Sequence, residues 1–301
     1  MKKWITAVRA PFFTASLAPV VVGIAVAFYE GTPMRWLPAV LTLLGVVALH
    51  AGTNLANDYF DHRSRNDWVN KTPTPFSGGS RVIQSGALSP RAVLIFALAC
   101  FAVGSALGLY LWRATPGNTV LWLGLIGVAS GFFYTATPVA IGYRGFGELF
   151  IGLNFGVLAT LGAYYVQAGH LSAAALWASL PVSFLIAAVV YVNEFPDYAA
   201  DKEVRKRTLV VLLGLKRARW GYWALMAATY VAIAAAVALK ILPTWALLGL
   251  LTLPAAARAS AVLLANYAEP YKMLPANGIT VIVHIGTSLL VGAGMVIGKL
   301  T

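Results

Sequence analysis

The chain has 301 residues, 59% hydrophobic and 11% charged, with a formal net charge of +12. Soluble domains carry about a quarter charged residues, so a soluble enzyme is excluded, and the basic residues sit in short connections between apolar runs, which excludes a nucleic-acid binder. The single cysteine, Cys100, excludes both a disulfide framework and a thiolate zinc set.

The first residues, MKKWITAVRAPFFTASLAPVVVGIAVAF, begin like a secretory signal. Arg9 and Pro11 interrupt that pattern and the apolar run continues to Phe28, so the segment reads as a retained first helix. Nine apolar segments are predicted to span a bilayer: 12–29, 38–58, 90–112, 119–136, 147–168, 174–195, 219–239, 242–264 and 279–298. Backbone groups in lipid must be satisfied internally. The expected fold is therefore an all-α membrane protein, one domain over 1–301, with nine transmembrane helices around a central cavity open to the cytoplasmic side.

Two long polar connections interrupt the spans, at 59–89 and 196–218. Of the 22 Lys and Arg residues, all but Arg35, Arg113, Lys240 and Lys299 fall on the side that holds the N-terminus and these two connections. The positive-inside bias then puts the N-terminus and both connections in the cytoplasm, the C-terminus outside, and the protein in the cell membrane as a multi-pass chain.

Seven of the ten acids fall in two clusters, each at the cytoplasmic end of an even-numbered span. The first reads NLANDYFDHRSRND. At about 100° per residue, Asn54, Asp58 and Asp61 lie within about 60° of one another on a helix, with Asn57 beside them. Asp67 follows the expected helix end and can reach back over the site. The second reads NEFPDYAADKEVRKRT, where Asn193, Asp197 and Asp201 recur every fourth residue. Pro196 is expected to kink or end the helix, and irregular backbone at this depth marks a cavity mouth.

Stacked carboxylates near a membrane need a cation. Sets of Asp and Asn oxygens suit Mg²⁺, which binds through few carboxylates and substrate phosphates. Arg63, Arg65, Lys71 and Arg81 near the first cluster, and Lys202, Arg205, Lys206 and Arg207 near the second, supply charge for those phosphates. Two such sets facing each other make a diphosphate site. A cation transporter is the rival reading, since intramembrane acids also mark ion paths, but its acids belong near the midplane.

The paired clusters resemble the Asn/Asp-rich motifs of the UbiA superfamily of intramembrane prenyltransferases, and the likeness covers nearly the whole chain. RAPFFTASLAP, TPFSGGSRVIQSGALSP, YRGFGELFIGLNFG and NEFPDYAADKEVRKRTLVVLLG look like the branch that contains 1,4-dihydroxy-2-naphthoate polyprenyltransferases. The resemblance implies Mg²⁺, as two ions bridging an isoprenoid diphosphate, held by Asn54, Asp58, Asp61, Asp67, Asn193, Asp197 and Asp201. Asp58, Asp61, Asp197 and Asp201 are the carboxylates expected to be needed for catalysis. It implies prenyl transfer to a small aromatic acceptor, 1,4-dihydroxy-2-naphthoate, in menaquinone biosynthesis; 4-hydroxybenzoate and geranylgeranylglyceryl phosphate are the alternative acceptors. Arg81 and Lys202 are the leading diphosphate contacts, with Arg9, Arg144, Arg63, Lys71 and Asn57 as further substrate contacts. Tyr134 is a candidate phosphate contact, Asn154 a candidate cavity residue, and Phe12, Phe13, Phe132, Phe133, Phe150 and Phe155 candidate walls for a prenyl cation. His50 and His284, inside apolar spans, are expected to be packed residues with hydrogen-bond partners.

Overall fold

The computed structural model describes residues 2–301, which among themselves form helices and loops without a strand. A short helix, α1 (Lys2–Ala7), leads through a left-handed Arg9 and a single 3₁₀ turn into α2 (Thr14–Tyr29). Next come α3 (Trp36–Arg63), the single turn α4 (Asn66–Val69), α5 (Pro90–Arg113) and α6 (Thr119–Phe132). The chain continues as α7 (Gly147–Gly152), a π-helical turn (Leu153–Leu158) and α8 (Ala159–Ala168), stacked end to end. The long α9 (Ala173–Glu203), the short α10 (Leu209–Leu213), α11 (Leu215–Ala238), α12 (Leu253–Asn266) after a 3₁₀ run, and α13 (Leu274–Leu300) complete the bundle.

Lipid tails are as apolar as leucine, so these helices are held by close packing rather than by apolar burial alone. Two glycines show how close. A Cβ at Gly23 would lie 2.4 Å from the Thr160 carbonyl oxygen where α2 crosses α8, and one at Gly156 would lie 2.3 Å from the Ser183 Cα where the π-helical turn crosses α9. Side-chain caps start α5 (Ser89 accepting from the Ala92 N–H, 3.2 Å) and α9 (Ser172 from Ala175, 3.1 Å).

Two expectations are sharpened by the structure. Among the described residues, eight helices rather than nine are long and apolar enough to cross a membrane. The segment expected at 119–136 is a helix only over Thr119–Phe132, 14 residues, which at 1.5 Å per residue is about 21 Å, short of a hydrocarbon core of about 30 Å. Its apolar run continues in sequence, but the chain turns: the Ile141 N–H returns to the Phe133 carbonyl (3.0 Å) and the Gly142 N–H to the Tyr134 carbonyl (2.8 Å). Pro196, in turn, does not end α9, which runs on to Glu203. The carbonyl that a residue 196 N–H would have bonded, that of Val192, accepts instead from Asn277 Nδ2 (3.3 Å).

Candidate functional site

The ends of α3 and α9, together with α4 and the loop after it, enclose a cavity of about 560 Å³. Its polar end is lined by Arg9, Asn54, Asn57, Asp61, Asn66, Asp67, Arg81, Asn193, Asp197, Asp201 and Lys206. Its apolar end is lined by Ile151, Phe155, Ile186, Val189 and Val190, among others. The four-residue spacing on α9 therefore does what helical geometry requires, presenting Asn193, Asp197 and Asp201 to one space.

The first cluster divides. Asp58 lies beside the cavity but does not line it. It forms an ion pair with Arg9 and accepts hydrogen bonds from the Ser80 hydroxyl and the Ser80 N–H (3.2 Å). Asp61 accepts from the Tyr143 hydroxyl (2.6 Å) and from Asn57 Nδ2 (2.9 Å), and meets Lys206 Nζ at 3.3 Å. Asn54 Nδ2 donates to the Val8 carbonyl (3.1 Å). Asp67 on α4 does reach back: it is 1% exposed, lines the cavity, and accepts from Gln84 Nε2 (3.2 Å).

The two clusters are joined by Asn66, within the first, and by residues that follow it in sequence. Asn66 Nδ2 donates to Asp201 (2.8 Å) and Asn70 Nδ2 to Asp197 (2.8 Å). The turn Ser77–Gly78–Gly79–Ser80 touches both: the Gly78 N–H donates to Asp197 (3.0 Å) while Ser80 holds Asp58. Gly79 has φ +75°, and a Cβ there would lie 2.6 Å from an Asp67 carboxylate oxygen, so neither the backbone angle nor the space admits a side chain. Asn66 and Asn70 are not among the expected site residues; their four-residue spacing, matching that of Asp197 and Asp201, is the sequence signal that marks them.

Charge balance in this site is unfavourable to the acids. Burial, reinforced by Asp61 and Asp58, pushes the Asp67 carboxyl up to about 8, against the pull of Arg9 and Lys206. Burial works against the charges of Arg9 and Lys206, yet both are held above their ordinary range, Arg9 by Asp58 and Lys206 by Asp201 and Asp61. Burial first, and then Asp61, likewise holds the Tyr143 hydroxyl above its ordinary range, so it stays a donor. Acids outnumber the three cations that face the cavity, Arg9, Arg81 and Lys206, and burial answers the excess by favouring the neutral form of Asp67. Oxygen donors in that state fit an added hard cation. Among the described residues no three of Asp, Glu, His and Cys form a ready metal cage, which suits an ion completing its shell with water and phosphate oxygens.

The predicted basic contacts are redistributed. Arg9 and Arg81 reach the cavity, Arg81 through a bond to the Asp67 main-chain carbonyl. Both adopt left-handed backbone (φ 54° and 64°), a conformation that a non-glycine residue keeps only where its surroundings hold it. Lys202, expected to be a leading contact, is exposed and lies over the Tyr198 ring at 5.7 Å. It follows Asp201 by one residue, about 100° around the helix; α9 then ends, the chain reverses at Arg205 (φ 60°), and Lys206 enters the site instead. Arg63, Lys71 and Arg144 are also exposed and outside the cavity, Arg63 over the Tyr59 ring and Arg144 donating to the Pro138 carbonyl (2.7 Å).

Tyr134, Phe12 and Phe155 line the cavity, whereas Phe13, Phe132, Phe133 and Phe150 do not. Phe13 and Phe155 pack edge-on against His50, with ring centroids 5.4 and 4.6 Å away, and His50 Nδ1 pairs with the Ser16 hydroxyl (2.9 Å). Asn154 accepts from Ser130 (2.9 Å) and lines a second, apolar cleft of about 140 Å³. That cleft shares His50, Thr53, Tyr134, Ile151 and Phe155 with the main cavity. His284 lines the main cavity, but its Nε2 is buried without a partner, contrary to expectation.

Comparison with known proteins fits this geometry. The sequence profile of the UbiA prenyltransferase family matches residues 16–297. A 1,4-dihydroxy-2-naphthoate octaprenyltransferase of Mycobacterium leprae is 32% identical over 260 residues, covering 85% of this chain and 84% of that protein. The apo structure of a UbiA homolog from Aeropyrum pernix superposes with a TM-score of 0.71 at 19% identity, over 95% of this chain and 98% of the other. A UbiA homolog from Archaeoglobus fulgidus, solved bound to GPP and Mg²⁺, superposes with a TM-score of 0.63 at 19% identity, over 97% and 99% of the two chains.

Proposed function

We propose that the chain, which belongs to the UbiA prenyltransferase family and is an integral membrane prenyltransferase, transfers an isoprenoid group from its diphosphate to 1,4-dihydroxy-2-naphthoate with the help of Mg²⁺. The observation that carries this reading is the meeting of two acidic clusters, from α3–α4 and from α9, with Arg9, Arg81 and Lys206 at one end of a cavity whose other end is apolar. The named relative supports a naphthoate acceptor, and the polar end is taken to face the cytoplasm on the distribution of basic residues.

Asp61, Asp67, Asp197 and Asp201, with the side-chain oxygen of Asn54, would hold the metal. A Mg²⁺ ion held by these residues would supply positive charge to the leaving diphosphate. Arg9, Arg81 and Lys206 bind the same oxygens and orient them. As the allylic C–O bond breaks, its electron pair leaves with the diphosphate, and these fixed cations stabilise it more than they stabilise the intact substrate. Tyr134, Phe12 and Phe155 shield the allylic cation from water. The ring carbon that bears the acceptor carboxylate supplies the electron pair of the new C–C bond; its bond to the carboxylate then breaks, CO₂ departs, and the released electron pair restores the aromatic ring.

Prenyl transfer by the purified protein in nanodiscs tests this reading: turnover that vanishes with EDTA and returns with Mg²⁺ is expected, and turnover indifferent to EDTA overturns the metal's role. Because Asp67 sits at about 8 in the absence of metal, it is protonated at neutral pH and must lose that proton to bind a cation. Mg²⁺ affinity is therefore expected to rise with pH up to about 8 and level off above it, with proton release. Calorimetry in buffers of different ionisation enthalpy measures this; affinity flat across that range would contradict it.

The apolar cleft is the proposed seat of the prenyl chain. At Gly108, Gly124 and Gly127 a Cβ would meet nothing within 4 Å, so side chains there would fill the cleft rather than displace a helix. Gly127→Leu is expected to shift preference toward shorter prenyl diphosphates with little loss of stability. Competition between geranyl and geranylgeranyl diphosphate, read by product mass, checks this.

A further inference from the structure

Asn54 and Asn193 stand four residues before Asp58 and Asp197, so the two clusters look equivalent in sequence. Their side chains do not face the cavity alike. Asn54 gives its NH₂ group to the Val8 carbonyl. A carbonyl only accepts, which fixes that amide and leaves Oδ1 for the cavity. Asn193 is fixed in the opposite sense by Asn277 on α13, which is fully buried. Asn277 Nδ2 donates to the Val192 carbonyl (3.3 Å) and to Asn193 Oδ1 (2.8 Å). Val192 offers only an acceptor, so Asn277 must present NH₂ to α9, and Asn193 must meet it with oxygen. Asn193 lines the cavity, and the group left to face it is NH₂. Asn277 Oδ1 has no partner of its own. A buried amide with an unpaired oxygen is a poor packing residue, so the two donor contacts must justify it.

We propose that Asn277 is a positioning residue that turns the Asn193 amide so that its NH₂ group donates to a diphosphate oxygen, while Asn54 offers oxygen to the metal. The proposal rests on the functional reading above and deepens it: the two matching asparagines serve the anion and the cation respectively. Asn277 also mends the helix at Pro196, and the test must separate these two roles.

The experiment measures binding of geranyl diphosphate and of Mg²⁺ to the full chain in nanodiscs, together with thermal unfolding, for wild type, Asn277→Leu, Pro196→Ala and the double variant. Alanine at 196 restores an N–H for the Val192 carbonyl, so the double variant keeps α9 intact without Asn277. The expected result is a loss of geranyl diphosphate affinity of about 10- to 100-fold in both Asn277→Leu backgrounds, with Mg²⁺ affinity unchanged and the double variant more stable than the single. Unchanged diphosphate affinity, recovery of that affinity in the double variant, or loss of Mg²⁺ affinity alongside it would each overturn the proposal and leave Asn277 as a helix patch. A wild type that binds no geranyl diphosphate would overturn the functional reading itself.

Discussion

Asp61→Ala and Asp197→Ala are each expected to lower turnover by about 10²–10³-fold, the scale of removing one preorganised electrostatic contact from a transition state. Both carboxylates line the cavity and come from opposite clusters. The loss should appear mainly in kcat at saturating substrate, because the charge they help to neutralise grows as the C–O bond breaks. Asp58→Ala makes an instructive contrast. Asp58 is 2% exposed and holds Arg9 and Ser80 without lining the cavity. Its removal leaves the half-buried Arg9 guanidinium with Asn57 alone (2.9 Å) and the Ser80 donors unpaired, a cost of about 1–3 kcal/mol, so a drop in thermal stability should accompany its loss of activity. Asp61→Ala and Asp197→Ala proteins with wild-type turnover would contradict the assignment.

Lys206→Met is expected to lose both activity and stability, whereas Lys202→Met should differ from wild type by no more than about 0.5 kcal/mol. Lys206 Nζ sits 3.3 Å from Asp61 and 3.6 Å from Asp201, the only described ion pairs that draw the two clusters together. Without it, both acids remain buried with no cation from the protein, a change again on the order of 3–5 kcal/mol. Saturating Mg²⁺ with a prenyl diphosphate should restore part of the lost stability by binding the folded state. Thermal unfolding with and without both ligands, alongside an assay of each variant, distinguishes the two lysines. A Lys202→Met protein as impaired as Lys206→Met would contradict the geometry.

Much of the site was legible because charge is scarce in this chain. An acid among apolar residues stands out, and helical spacing alone places Asn193, Asp197 and Asp201 on one stripe. The same scarcity marked Arg9 and Arg81. What was not legible depends on where the chain turns. Lys202 and Lys206 are equally plausible in sequence, and only the reversal at Arg205 selects the second. Asn66 and Asn70 meet acids 135 and 127 residues away; their four-residue spacing marks a shared face but not which acids that face meets. Asp58 and Asp61 lie on nearly the same stripe, yet Arg9 and Ser80 claim the first and leave the second to the cavity. The apolar run after Thr119 continues past Phe132 in composition but not in helix, so hydropathy alone does not mark where that helix stops. Asn277 was invisible for the opposite reason: one asparagine in a membrane helix usually serves packing, and its role depends on a proline in another helix.

The central claim is tested most directly by mass spectrometry of the product formed by the purified protein with geranylgeranyl diphosphate, Mg²⁺ and a panel of 1,4-dihydroxy-2-naphthoate, 4-hydroxybenzoate and geranylgeranylglyceryl phosphate. The expected product is a prenylated naphthalene that has lost CO₂ and forms only when Mg²⁺ is present. A product formed from either of the other acceptors but not from the naphthoate, or no prenyl transfer to any of the three, would contradict it.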